Sequence, residues 1–104
     1  MKYEEILSAG KNWYYAMKQK YNDRLIFEID IDNSDEFVAN IDTDLFFGEI
    51  YIDNKSYNYV EFNIIPICPD GRNFGFWYGD ERRDSVQVII ENLNAGIQFL
   101  LEEN

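Results

Sequence analysis

Apolar residues recur along this chain with two different periods, and the changes of period mark its elements. Tyr3, Ile6, Leu7, Gly10, Trp13, Tyr14, Met17 and Tyr21 fall on one stripe at the helical period, which predicts an amphipathic helix over the first segment. Gly10 sits in that stripe, where its poor helix propensity points to close approach by a neighbouring backbone. Lys18 and Lys20 near its end complement the helix dipole. From Leu25 the period drops to two. Leu25, Phe27, Ile29 and Ile31 point one way, and Ile26, Glu28, Asp30 and Asp32 the other, as in a half-buried antiparallel strand. Asn33-Ser34-Asp35 supplies a turn, and a second strand follows with Phe37, Ala39 and Ile41 on its inner face. Asp42-Thr43-Asp44 turns again into a third strand, Phe46 to Ile52, and Asp53-Asn54-Lys55-Ser56 closes the next hairpin.

The fourth strand, Tyr57 to Ile65, sets Val60, Phe62 and Ile64 against Tyr59, Glu61 and Asn63. Pro66 and Pro69 end regular pairing, and Cys68-Pro69-Asp70-Gly71 reads as a turn. In a short fifth strand, Phe74 to Tyr78, the residues Phe74, Phe76 and Tyr78 share a face and Trp77 takes the other. Trp77 is expected under a helix, with exposure to a partner as the alternative. Gly79-Asp80 turns once more. A C-terminal helix then follows Arg82 and Arg83, with Asp84 or Ser85 as N-cap. Val86, Ile89, Ile90, Leu93, Ile97, Leu100 and Leu101 form its buried stripe. Val88, Ala95 and Phe99 form a minor stripe opposite, suited to a dimer contact, a partner contact or packing on two sides. The order predicts an α+β fold: an N-terminal helix, a four- to five-stranded antiparallel meander sheet, and a C-terminal helix packed on one face. At 104 residues the chain has room for one domain, residues 1–104, and its 46% hydrophobic content can build a core without disulfide or metal.

Charge sharpens this picture. The net charge is −11, and between Leu25 and Asn54 there are nine carboxylates and no Lys or Arg. Most of them fall in predicted strands, where Glu28, Asp30, Asp32, Asp42 and Glu49, joined by Glu61 of the fourth strand, can align into ladders on the outer face if the register allows, with Asp44 in a turn beside them. Like charges on neighbouring strands oppose sheet formation, so a face of this kind is expected to meet something positive. Tyr51, Tyr59 and Trp77 add aromatic area of the sort that anchors protein interfaces. The same field repels phosphates and anionic membrane surfaces, which argues against nucleic acid and membrane partners. Solubility alone is the competing explanation of the acidity.

The repertoire for catalysis is thin. The chain has no histidine, which removes Ser-His-Asp and Cys-His pairs and histidine-ligated zinc. Cys68, the single cysteine, reads as a small buried or turn residue rather than a nucleophile, and it suits a reducing cytoplasm. Phosphate-binding glycine loops are missing, and no pair among the many acids is singled out for acid–base work. Asp30 to Glu36 has the acidic spacing of half a calcium loop, but without the turn glycine and with Ile41 where the final glutamate should be. The expectation is a protein that is not an enzyme and needs no cofactor or metal. No apolar run is long enough to span a bilayer, and the first residues lack a secretory pattern, so a cytoplasmic location is expected.

The acid block from Leu25 to Asn54, the turn acids Asp42 and Asp44, and the aromatic run Phe74–Tyr78 give the whole chain a resemblance of type to small immunity proteins of bacterial toxin–immunity systems. These include the immunity partners of contact-dependent growth inhibition and other polymorphic toxins. The resemblance implies a cognate protein toxin, in many such systems a nuclease with a basic cleft. An acidic sheet face would dock in that cleft, imitate phosphate charge and occlude the active site. Glu28, Asp30, Asp32, Asp42, Asp44, Glu49, Tyr51, Tyr59, Glu61 and Trp77 are the residues expected at that interface. The alternative is a structural or regulatory subunit that forms a homodimer through the C-terminal helix.

Overall fold

The computed structural model describes residues 2–79 and 85–103. The elements run α1 (Tyr3–Tyr21), β1 (Ile26–Asp32), β2 (Phe37–Asp42), β3 (Phe46–Asp53), β4 (Tyr59–Pro66), β5 (Phe74–Gly79) and α2 (Val86–Glu103). All strands pair antiparallel in one sheet whose spatial order is β1-β2-β3-β4-β5, as the meander reading predicts. Both helices cover the same face of it. The core between them is built from Phe37, Ala39, Ile41, Ile50, Ile52, Val60, Phe62, Ile64, Phe76 and Tyr78, the inward set of each strand's alternation.

α1 is held over β1 and β2 by Tyr14, which is fully buried. Its ring meets Phe27 and Phe37 edge-on at 5.5 and 5.1 Å. Its hydroxyl donates to the Asn40 carbonyl at 2.9 Å, with the Glu28 carbonyl at 3.2 Å. Burial pushes that phenol far above its ordinary range. α2 lies over the other half of the sheet, and the Trp13 indole N–H donates to Asn94 Oδ1 at 2.7 Å to join the two helices. Ser85 caps α2, its Oγ accepting the Val88 N–H at 3.2 Å. The residues Asp80, Arg82, Arg83 and Asp84 of the sequence reading lie outside the described residues.

The turns use the side chains that the sequence offers. Asn33 Oδ1 accepts the N–H groups of Asp35 and Glu36 at 2.8 and 2.9 Å. Thr43 Oγ1 accepts those of Leu45 and Phe46, both at 3.1 Å. Gly71 N–H closes the turn from the Cys68 carbonyl at 3.0 Å, and Cys68 is exposed there rather than buried.

Three expectations change. Gly10 meets a side chain, not a backbone: a Cβ at this position would collide with Cδ1 of Ile52 on β3. Phe99 belongs to the core, edge-on to Phe46 at 5.2 Å and 6.0 Å from Phe74. The minor stripe of α2 therefore loses its aromatic member and keeps half-buried Val88 and exposed Ala95. The third change is in β1. Ile29 pairs with Ala39 but Ile31 pairs with Val38, so Asp30 is an extra residue, a β-bulge that shifts the alternation by one. Beyond it Ile31 turns outward and Asp32, opposite Phe37, turns toward the helices.

Candidate functional site

Among the described residues no element covers the sheet face away from the helices, and the register places its side chains in rows. One row runs Glu28, Asn40, Glu49, Asn63, Gly75 across the five strands. A second runs Ile31, Val38, Tyr51, Glu61, Trp77. Asp53 opposes Tyr59 at one end, and Asp42 opposes Ile26 near the other. The expected carboxylate ladders do not form. Each acid on this face has an amide, an aromatic or an aliphatic side chain as its direct cross-strand neighbour. Glu28 and Glu49 stand two strands apart, about 10 Å, where repulsion in water is about 0.4 kcal/mol before salt screening. Interleaving is how a sheet this acidic holds together.

The strands carry seven carboxylates, Glu28, Asp30, Asp32, Asp42, Glu49, Asp53 and Glu61, and no Lys or Arg. Asp32 leaves this set because of the bulge. On the helix side it pairs with Lys11 at 2.7 Å and accepts the Tyr15 hydroxyl at 2.7 Å, and these two hydrogen bonds hold its carboxyl below the usual range. Asp30 is exposed at the bulge on the sheet edge, and Asp44 is exposed in the β2–β3 turn. Glu28, Asp42, Glu49, Tyr51, Tyr59, Glu61 and Trp77 share the open face.

Several of these groups are pre-positioned. The Tyr59 hydroxyl donates to Glu61 Oε1 at 2.9 Å, and burial together with that bond lifts its pKa to about 12. Trp77 is 50% exposed rather than covered by a helix, and its ring and that of Tyr57 both approach Gly79. Asp42 accepts the Gly48 N–H at 3.1 Å and is half-buried, and the loss of water there raises its pKa, with a further contribution from Glu28. In the turns at one end, Lys55 stands 3.4 Å from Glu36 Oε2, and that carboxylate, with Tyr51, raises the lysine's pKa.

A shallow cleft of about 550 Å³ lies along the first row, on the side away from the second, lined by Asn40, Asp42, Glu49 and Asn63 on its polar side and by Phe47 and Ile65 on its apolar side. The missing side chain of Gly75 extends it toward β5. Carboxylates and amide oxygens in such a cleft accept hydrogen bonds from cationic side chains. Among the described residues no group of three or more His, Cys, Asp or Glu is arranged to hold a metal ion, and no helix is long and apolar enough to cross a membrane.

The sequence reading placed Ile26 outward but missed Leu45, Phe47, Ile65 and Ile67, which are large, apolar and exposed. A signal was present: Phe46-Phe47 and Ile64-Ile65 are doubled apolar residues that break the two-residue alternation, so one member of each must face outward. No family model matches the chain, and neither a curated protein nor a solved structure matches it.

Proposed function

We propose that this chain is a cytoplasmic immunity protein that binds a basic toxin, of nuclease type, through the open sheet face and occludes its active site. The observation that carries the reading is the charge of that face: Glu28, Asp42, Glu49, Asp53 and Glu61, with Asp30 at its edge, and no Lys or Arg from any of the five strands. Net charge of one sign over a surface steers an oppositely charged partner and raises association rates by about 10- to 1,000-fold at low salt. Glu61, fixed by Tyr59 and flanked by Tyr51 and Trp77, combines a pre-positioned acceptor with aromatic area that excludes water. Homodimerisation through α2 has less to build on, since Phe99 is spent on the core.

The test is capture of the tagged chain from its native host at low and high salt, followed by assay of any partner's activity with and without it. One stoichiometric basic partner, released by salt and inhibited by the chain, is the expected result. Glu28→Lys with Glu49→Lys should weaken that complex by well over tenfold, whereas Asp32→Asn, on the helix side, should leave it unchanged. Recovery of the chain alone at both salts would overturn the proposal.

A further inference from the structure

Two apolar pairs at one end of the open face have no part in the acidic rows. Phe47 opposes Ile65 in the β3–β4 register, and the ladder extends one step further, where the Ile67 N–H donates to the Leu45 carbonyl at 2.9 Å. Phe46 and Ile64 face the core, so Leu45, Phe47, Ile65 and Ile67 all face outward. They are 50%, 55%, 53% and 51% exposed. Paired residues stand about 5 Å apart and successive outward positions about 7 Å apart, so the four side chains make one continuous plate. Single exposed apolar residues are ordinary, but a contiguous plate marks an interaction surface.

Charge decides what covers it. Glu49 is the next outward residue after Phe47 on β3, Asp42 shares the cleft with Phe47 and Ile65, and Asp44 is adjacent to Leu45. A second copy would bring these carboxylates against their own kind in a chain of net charge −11. A cationic partner answers them. We propose that the plate seats apolar side chains of a basic partner segment whose flanking Arg or Lys residues reach Asp42, Asp44 and Glu49. The inference rests on reading the open face as the interface for a basic protein, and it divides the work: carboxylates speed encounter, and the plate slows release.

The probe is a synthetic peptide with a Leu-Phe-Leu centre flanked by arginines, titrated into the isotopically labelled full chain and followed by amide shifts. Shifts centred on Leu45, Phe47, Ile65 and Ile67, and binding about tenfold weaker for Phe47→Ser with Ile65→Ser, are expected. Both substitutions are at exposed positions, and the spectrum of the unbound variant reports that it is folded. A peptide with serines at its centre should bind correspondingly less well to the wild type. Equal binding by the double variant, with shifts at Glu28, Glu49 and Glu61, would overturn the plate and leave the acidic interface standing. Shifts nowhere on this face would remove both. A salt-independent dimer in sedimentation that protects the plate would make a second copy its occupant and overturn the proposal.

Discussion

Asn40 is flanked across the sheet by Glu28 on one side and Glu49 on the other, so Asn40→Asp would create two like-charge pairs where none exists. Direct cross-strand neighbours stand about 5 Å apart, and at that distance in water each new pair costs about 0.8 kcal/mol, or about 1.7 kcal/mol for the two. In 1 M salt the screening length falls to about 3 Å, which leaves about a fifth of that cost. Urea unfolding at low ionic strength and in 1 M sodium chloride separates the two values, with urea used because it adds no ions. Asn40→Ala serves as the control for loss of the amide itself. The new aspartate's folded pKa would be raised, so the destabilisation should fade as the pH falls through that value and vanish below the ordinary aspartate range. An equal loss of stability at both salt concentrations would assign the effect to packing and refute the interleaving argument. No loss at all would refute the register.

Tyr14→Phe removes a buried hydroxyl and leaves the Asn40 carbonyl without its side-chain donor, at an expected cost of about 1–2 kcal/mol in urea unfolding. In Gly96→Ala the added Cβ would lie 2.5 Å from the ring of fully buried Phe62, and a loss of about 1–3 kcal/mol is expected from overpacking, read as a lowered urea midpoint. Asp42→Asn keeps the acceptor for Gly48 and removes a carboxylate whose pKa is raised by burial. A raised carboxylate opposes folding once ionised, so the variant should match wild type at about pH 3 and exceed it at about pH 7. Urea midpoints at the two pH values check this.

The parts of the fold that follow a strict period were legible. Val60, Phe62 and Ile64 could only face one way, and so could Phe37, Ala39 and Ile41. Breaks in period were not. The bulge at Asp30 leaves no mark in a run that alternates without interruption, because the extra residue is defined by its partner strand and not by its own neighbours. The alternation therefore puts Asp32 on the acidic face, whereas it is an exposed group ion-paired to Lys11 of α1. Phe99 was misplaced for a related reason: α2 packs against Phe46 and Phe74 over a wider arc than one stripe. Trp77 was assigned to the correct face, but that a helix does not cover that face is a property of the whole layer arrangement.

The meander order also sets how the molecule comes apart. Every strand pairing joins sequence neighbours and closes a short loop, so the sheet can grow hairpin by hairpin at small entropic cost. The Trp13–Asn94 hydrogen bond is different, joining residues 81 apart in sequence. It can form only once both helices are docked side by side, so we expect it among the last events of folding and the first of unfolding. Its loss would leave the folding rate nearly unchanged and fall on the unfolding rate. On that expectation the clasp between the two helices sets the lifetime of the fold rather than the speed of its formation.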